Sequence, residues 1–238
     1  MRKITIDSHD GSRWSSPEVV AQLSATRPNA RLMQFATQEF DRHTDRRLLD
    51  IGCGAGCNAI PLAAMGWNVL GVDLSRPMLD AAQKRAQEHA LTGRLQFRLA
   101  PMEKLPAEDQ SYDFLVAHGI WNLARSTVEL RQALREAARV ARPGAALFIF
   151  TFSRSTLPTN AEPVTGEPFI FTQFLSEPQC FLTETQLIEE LDAAGFALES
   201  GETLREIDLR QPNSLRIQMA PVIYEGIFRR KPSPRSIT

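Results

Sequence analysis

The stretch Leu48-Leu49-Asp50-Ile51-Gly52-Cys53-Gly54-Ala55-Gly56 joins a short apolar run to three glycines at alternate positions. The apolar run predicts a buried strand, and the glycines predict a tight loop that follows it. A glycine-rich loop lets a ligand approach the backbone closely, and dinucleotide enzymes use the related pattern G-x-G-x-x-G. Cys57 occupies the third glycine position of that pattern. The glycines alone therefore do not show which ligand the loop binds.

Two acidic residues flank this loop. Asp50 ends the predicted strand, where its charge would repel a pyrophosphate and attract a cationic ammonium group. Asp73 ends the next predicted strand, 21 residues after Gly52, where an acid can accept hydrogen bonds from both hydroxyls of a ribose. Either acid alone is equally well explained as a cap for a loop or a helix start. Together they predict a ligand with a ribose and an ammonium group.

Strands and helices alternate on both sides of the loop. Further strands are predicted at Asn68–Val72, Leu95–Leu99, Tyr112–Ala117 and Ala146–Phe152, with helices at Cys57–Met65, after the cap Ser75, and at Val128–Ala141. This order predicts a parallel sheet with helices on both faces and all loops after strands at one edge. A capping box at Thr183–Gln186 begins a later helix, and Phe196–Leu204 with Val222–Phe228 predicts a final strand pair.

The chain divides into segments of different character. Residues 1–45 predict an N-terminal helical segment that covers the site, with one helix capped by Ser16 and another over Ala30–Phe40. Residues 46–230 form the predicted binding domain, and residues 231–238 a flexible tail. Within the domain, Ser153–Leu182 holds four prolines and four phenylalanines. A connection of that length predicts a functional element, here a lid over the acceptor.

Five motifs in this order resemble those of the class I S-adenosylmethionine (SAM)-dependent methyltransferases that act on small molecules, of the type-11 kind. They are the glycine loop, Gly71–Ser75, Pro101–Pro106, Ser111–Val116 and Ala137–Gly144. The resemblance is dense over residues 45–152 and loose over the final strands. It implies a Rossmann-like seven-stranded sheet, mostly parallel, whose last strand is antiparallel. It also implies SAM as cofactor and S-adenosylhomocysteine as product.

The resemblance also implies roles for individual residues. Asp50 and the backbone of Gly52, Cys53, Gly54 and Gly56 would hold the methionine end of SAM. Asp73 would hold the ribose, and Leu74, Met102 and Glu103 would meet the adenine. Ala117 and His118 would lie beside the transferred methyl group. Pro101 departs from the family, which often has an acid there that accepts from the adenine amino group; a main-chain carbonyl or Glu103 would have to replace it.

Methyl transfer is an in-line displacement, so the protein mainly positions the acceptor and excludes water. His118 is the candidate general base, since its ordinary pKa lies near neutrality; the alternative is a ring that bonds local backbone and lines the cofactor pocket. Three further residues are acceptor-side candidates. Trp14 would fold over the cofactor, Trp121 would form a wall or belong to the core, and Arg154 would pair with an anionic acceptor or lie solvated at the surface.

Composition limits the function classes. The chain has 238 residues, 43% of them hydrophobic, and a net charge of −1, so no global positive field collects nucleic acid. It shows no signal peptide or membrane span, and its three cysteines suit a cytoplasm with reduced thiols. Cys53 and Cys57 lack further ligands at metal-binding spacing. A small-molecule methyltransferase without a metal is predicted. The alternatives are methylation of protein or nucleic acid, a non-catalytic SAM-binding module and, less favoured, a dehydrogenase.

Overall fold

The computed structural model describes residues 13–174, 176–210 and 220–232. Its strands are β1 Arg47–Ile51, β2 Asn68–Asp73, β3 Leu95–Leu99, β4 Tyr112–His118, β5 Ala141–Phe152, β6 Ile170–Phe171, β7 Gln179–Cys180, β8 Phe196–Leu198, β9 Arg205–Asp208 and β10 Val222–Arg230. Its α-helices are α1 Pro17–Ser24, α2 Ala30–Phe40, α3 Ala59–Ala64, α4 Arg76–Glu88, α5 Thr127–Val140 and α6 Glu184–Ala193. None of the helices within these ranges is long and apolar enough to cross a membrane.

Local chemistry begins the helices where the sequence predicts. The side chains of Ser16 and Ser75 cap α1 and α4, and each of these helices has proline in its first turn. Thr183 and Gln186 form a complete capping box at α6. Such caps satisfy backbone N–H groups that have no partner inside the helix. These predicted helix starts are therefore confirmed.

The strand order of the main sheet is β3-β2-β1-β4-β5-β10-β8. Strands β1 to β5 run parallel, and β10 is antiparallel to β5. The predicted Rossmann-like α/β fold is confirmed. The topology brings the carboxyl ends of β1, β2 and β4 to one edge, which is where open α/β sheets bind ligands.

The predicted count of seven strands is wrong by one, because eight strands of the described chain pair in this sheet. The predicted strand Phe196–Leu204 stops early, at Leu198, and a turn at Gly201 follows, with a φ of 81°. The chain then resumes as β9, which pairs with the first half of β10, whereas β8 pairs with its last residues. One edge strand is thus split in two by a glycine turn.

Two apolar layers cover the sheet. On one face, α2 packs with α3 and α4, and its Phe35 meets Phe114 of β4 edge-to-face at 5.5 Å between ring centroids. On the other face, α5, α6 and the β6–β7 hairpin pack against the sheet. Helix α2 therefore shares the core of the domain that follows it. The boundary predicted at residue 45 stays a prediction, and residues 1–12 and 233–238 of the predicted terminal segments lie outside the described residues.

The segment Ser153–Leu182 packs around its own small core. Leu157, Phe171 and Phe181 are buried together, with Phe152 and Phe174 against them. Phe169 is buried in the main core instead. At least three of the four phenylalanines of this segment therefore stabilise it by burying apolar surface.

Candidate functional site

The glycine loop has a left-handed backbone at all three glycines, with φ angles of 73°, 51° and 78° at Gly52, Gly54 and Gly56. Residues with a side chain rarely adopt this conformation. A Cβ at Gly52 would lie 2.7 Å from the side chain of Ile120, and one at Gly56 would lie 3.1 Å from Ile60. A Cβ at Gly54 would meet nothing within 4 Å among the described residues. Gly54 is therefore the glycine over which a ligand can approach the backbone.

Asp50 is buried beside this loop without a cation. Its side chain belongs to a residue only 2% exposed, and its Oδ2 has no hydrogen-bond partner in the described part of the chain. Burial, followed by the charge of Asp73, raises the pKa of Asp50 from 3.8 to about 7. A buried carboxyl without a partner is costly unless a group from outside bonds it. The ammonium of a methionine moiety has the charge and the donors that fit this oxygen.

Asp73 ties the end of β2 to the glycine loop. Its Oδ2 accepts from the backbone N–H of Gly54 at 2.9 Å, and its Oδ1 accepts from the N–H of Ser75 at 2.8 Å. The loop-capping role that the sequence left open is thus present. Each carboxylate oxygen can accept more than one hydrogen bond, so these contacts are compatible with a ribose as well. The ribose contact itself stays a prediction.

The N-terminal segment reaches the same region. The Ser75 hydroxyl donates to the carbonyl of Trp14 at 3.2 Å, and the Arg13 guanidinium lies 4.5 Å from the centre of the Trp14 ring. Trp14 therefore lies at the start of α4, beside the end of β2. Leu74, which follows the last residue of β2, is half-buried. These positions agree with a segment that borders the ribose and adenine end of the site.

Of the residues predicted to meet the adenine, Met102 is buried in the main core, whereas Glu103 and Pro101 are half-buried. Cys53 is also buried, and its Sγ lies 2.8 Å from where a Cβ on Gly71 would be, so it packs the turn. Burial raises the pKa of Cys57 to about 11, with Asp50 adding to the shift, so this thiol stays protonated. Within the described residues, no group of His, Cys, Asp and Glu is suited to a metal.

His118 ends β4 next to the buried Ala117. Its ring stacks on Phe150 with 4.3 Å between centroids, and its Nε2 lies 3.3 Å from Nδ2 of Asn29. Burial lowers the pKa of His118 from 6.5 to about 4. The ring is therefore neutral at pH 7, and its Nε2 already has a partner. Before Nε2 of His118 could remove a proton, its contact with Nδ2 of Asn29 would have to break.

The other acceptor-side candidates hold the protein together in this structure. Trp121 is 2% exposed and belongs to the main core. Arg154 donates to the carbonyls of Leu157, Pro158 and Ala161 at 3.4, 3.0 and 2.9 Å, and its guanidinium lies 4.8 Å from the centre of the Phe171 ring. Arg154 thus holds together the start of the segment Ser153–Leu182 instead of lying solvated. Pairing with an anionic acceptor would require it to leave these carbonyls.

Sequence reasoning missed two residues that contact the site. Asn29 precedes α2, and its amide donates to both His118 and Glu225. Glu225 is buried in β10 and accepts from Arg31 as well. The available signals were an Asn directly before a predicted helix, which is typical of an N-cap, and an acid inside an apolar strand. Neither signal says what the side chain meets across the fold.

Comparisons with known proteins agree with this geometry. A family model described as a methyltransferase domain matches residues 49–149. The ubiquinone/menaquinone biosynthesis C-methyltransferase of Geotalea daltonii is 31% identical over half of this chain and 51% of its own length. The chain spans about half the length of the curated relatives it matches first. S-adenosylmethionine is the cofactor of methyltransferases of this kind.

Solved structures share the fold. A SAM-dependent methyltransferase from Methanosarcina mazei has a TM-score of 0.67 at 20% identity, with 87% of this chain and all of that chain covered. The 1,6-didemethyltoxoflavin-N1-methyltransferase of Burkholderia thailandensis, solved with 1,6-didemethyltoxoflavin and S-adenosylhomocysteine bound, has a TM-score of 0.63 at 17% identity and covers 94% and 83%. Residues 49–149 of this chain thus match a methyltransferase domain, and the fold is the one that solved SAM-dependent methyltransferases share.

Proposed function

We propose that this chain transfers the methyl group of SAM to a small-molecule acceptor by in-line displacement. The observation that carries the proposal is the buried Asp50, whose Oδ2 has no partner in the described chain, beside a loop that is open at Gly54. A dinucleotide would bring a pyrophosphate to this place, and its charge would be repelled by Asp50 and Asp73 together. An ammonium group relieves the same repulsion. The charge of the site therefore favours SAM.

The roles of the residues follow from their positions. Asp50 would bind the ammonium, the backbone around Gly54 would approach the methionine moiety, and Asp73 would bind the ribose. Bound SAM would supply an activated methyl group on a sulfonium, which is a good leaving group. What remains for the protein is to orient the acceptor and keep water out. We propose that the segment Ser153–Leu182, which packs around its own small core, serves as that cover.

A small acceptor is favoured over a macromolecule on two grounds. The net charge of −1 gives no field that would attract nucleic acid. According to their descriptions, the relatives named above act in ubiquinone and menaquinone biosynthesis or on 1,6-didemethyltoxoflavin, and neither description names a macromolecular acceptor. A cytoplasmic location suits the chain's three free cysteines, which form no disulfide in the structure.

One experiment tests the proposal and its alternatives. The purified chain is incubated with methyl-labelled SAM and a cell extract, and the label is then separated into small molecules, protein and nucleic acid. Label in the small-molecule fraction supports the proposal, provided that the Asp50→Asn variant transfers less. Label confined to protein or nucleic acid contradicts the small acceptor. SAM binding by calorimetry without label in any fraction would instead make the chain a non-catalytic binding module.

A further inference from the structure

Asn29, the N-cap of α2, contacts three elements around the candidate site. Its Oδ1 accepts from the backbone N–H of Leu32 at 2.9 Å. Its Nδ2 donates to Oε2 of Glu225 at 2.8 Å and lies 3.3 Å from Nε2 of His118. Its backbone N–H donates to Oδ1 of Asn58 at 3.0 Å, two residues after the last glycine of the loop. One side chain therefore joins α2 to the end of β4 and to the interior of β10, and its backbone joins α2 to the residues that follow the glycine loop.

The contact with Leu32 fixes which way the Asn29 amide faces. A backbone N–H only donates, so the oxygen of the amide must face Leu32 and the NH₂ group must face His118 and Glu225. An NH₂ group also only donates. The Nε2 atom of His118 therefore accepts, and the ring proton lies on Nδ1. The geometry thus selects one tautomer of a neutral imidazole.

Charged groups around His118 leave this neutral form undisturbed. The carboxylate of Glu225 meets Arg31 of α2 at 3.3 Å and Arg205 of β9 at 3.6 Å. Arg31 also pairs with Glu202 at 2.5 Å. Two arginines thus offset the two glutamates, and burial lowers the pKa of His118 by more than the remaining influence of Glu225 raises it. On its other side the ring faces the uncharged Phe150.

We propose that Asn29 is a positioning residue that holds His118 as a neutral hydrogen-bond acceptor at the end of β4. Through this contact, a helix outside the segment that matches the methyltransferase domain becomes part of the reaction site. The inference rests on the proposed methyl transfer, because it assigns His118 to a fixed orientation instead of proton removal. It concerns contacts that exist in the ligand-free chain, so it can also be tested without turnover.

The first test replaces the amide NH₂ group of Asn29 and keeps a side-chain oxygen that can cap α2. Asn29→Asp retains an oxygen for Leu32 but turns a carboxylate towards His118 and Glu225, so His118 should take up a proton to bridge them. We expect its pKa, followed by NMR of the histidine ring nitrogens, to rise by about 2 units or more. Ser16→Asp, which adds the same charge at the cap of α1, is the matched control and should leave the titration unchanged. A His118 titration that is the same in Asn29→Asp and the wild type would overturn the contact.

The second test asks whether the contact matters for the reaction. Asn29→Ser keeps a good N-cap and removes the amide NH₂ group, which the shorter serine hydroxyl cannot replace, so the fold should persist while His118 loses its partner. We expect transfer of labelled methyl to the small-molecule fraction of a cell extract to fall roughly 10-fold, with the urea midpoint near that of the wild type. An unchanged rate would overturn the positioning role. A wild-type chain that transfers no methyl would refute the proposed function, and the titration would still decide the contact with Asn29.

Discussion

The buried carboxyl of Asp50 lowers the stability of the ligand-free protein, but it favours the binding of a cationic ligand. In the unfolded chain its carboxyl ionises near its ordinary pKa of 3.8, whereas burial in the fold raises that pKa to about 7. Between these values folding must neutralise the group, so the fold loses stability as the pH rises from 4 towards 7. The same carboxylate is what a cationic ligand needs. A binding residue of this kind is expected to reduce the stability of the ligand-free chain.

Asp50→Asn should therefore raise stability and weaken SAM binding together. At pH 7.5 we expect the free energy of unfolding in urea to increase by on the order of 1–4 kcal/mol, and by less at pH 5. The affinity for SAM, measured by calorimetry, should fall by about 2–3 kcal/mol, because a charged hydrogen bond is lost. Asp80→Asn, at an exposed position on α4, is the control. A variant that is less stable and binds SAM normally would contradict both roles.

The pKa of about 7 at Asp50 also predicts how SAM binding depends on pH. Only the ionised carboxyl attracts the ammonium, so each pH unit below 7 should weaken binding by up to about 10-fold, and binding at pH 6 should release a proton. Calorimetry from pH 5.5 to 7.5, in two buffers of different ionisation enthalpy, measures both quantities. In Asp50→Asn the dependence should vanish; a slope that persists there would assign it to another group.

For single residues, the sequence predicts which residues form the site better than it predicts their protonation and contacts. The type and spacing of Asp50 and Asp73 indicate the ligand from the sequence alone. The shifted pKa could not be predicted, because it depends on how deeply the surrounding strands bury the carboxyl. Arg154 shows the same limit, since the three carbonyls that it bonds converge only once the lid segment has folded.

In the glycine loop, Gly52 and Gly54 are required for different reasons. Gly52→Ala and Gly54→Ala both place a side chain at a positive φ, which costs roughly 1–2 kcal/mol. Gly52→Ala should lose about 1–3 kcal/mol more, because the new methyl group meets Ile120. Gly54→Ala should instead lower SAM affinity, since its methyl group enters the open space over the loop. Urea unfolding and calorimetry measure the two effects.

A second substitution, at Ile120, tests whether the extra loss in Gly52→Ala comes from the clash. Ile120→Ala in the Gly52→Ala background should recover the part of the stability loss that comes from the contact, and leave the backbone part. Equal stability losses in the two single glycine variants would show that Ile120 is not the neighbour that requires Gly52.

Element prediction failed where pairing across the fold decides an element. The strand predicted over Phe196–Leu204 keeps only its first three residues, because a turn at Gly201 follows, and β9 begins just beyond the predicted range. Strand β5 begins at Ala141, five residues earlier than predicted, because Ala141 pairs with Tyr112 before the register shifts. Alternation of apolar residues cannot reveal either feature, since both depend on a partner strand.

At the scale of the whole molecule, Glu39 ties the N-terminal helix α2 to the last strand. It is 1% exposed and accepts from Arg229 of β10 and from His43. Burial alone would raise the pKa of Glu39, but the hydrogen bonds from His43 and Arg229 lower it to about 2. The contact therefore contributes stability above the ordinary pKa of 4.5, and that contribution is lost as the pH falls towards 2.

Glu39→Gln should destabilise the whole chain, since it leaves Arg229 with one carboxylate fewer. We expect a loss of about 2–4 kcal/mol in urea at pH 7, in one cooperative transition, because α2 shares its core with the sheet. Glu18→Gln on the exposed surface of α1 is the control. Separate transitions for the N-terminal segment and the sheet would show that the segment folds on its own.

The sequence predicted α2 but not its integration into the domain. Glu39 and Arg229 are 190 residues apart, and no local pattern indicates that they pair. The recognisable motifs lie within residues 45–152, so the segments on either side had to be interpreted mainly from periodicity. Their contacts with His118, Ser75 and β10 emerge only from the fold.

The divided edge of the sheet has a consequence for self-association. A long, flat outer strand offers a row of unpaired N–H and C=O groups that can template the addition of another chain, as happens in amyloid. Here that border consists of two short pieces, of three and four residues, separated by a turn. The charged side chains of Arg205, Glu206 and Asp208 further oppose docking of an apolar strand. The glycine turn that breaks the strand therefore also protects this side of the protein against aggregation.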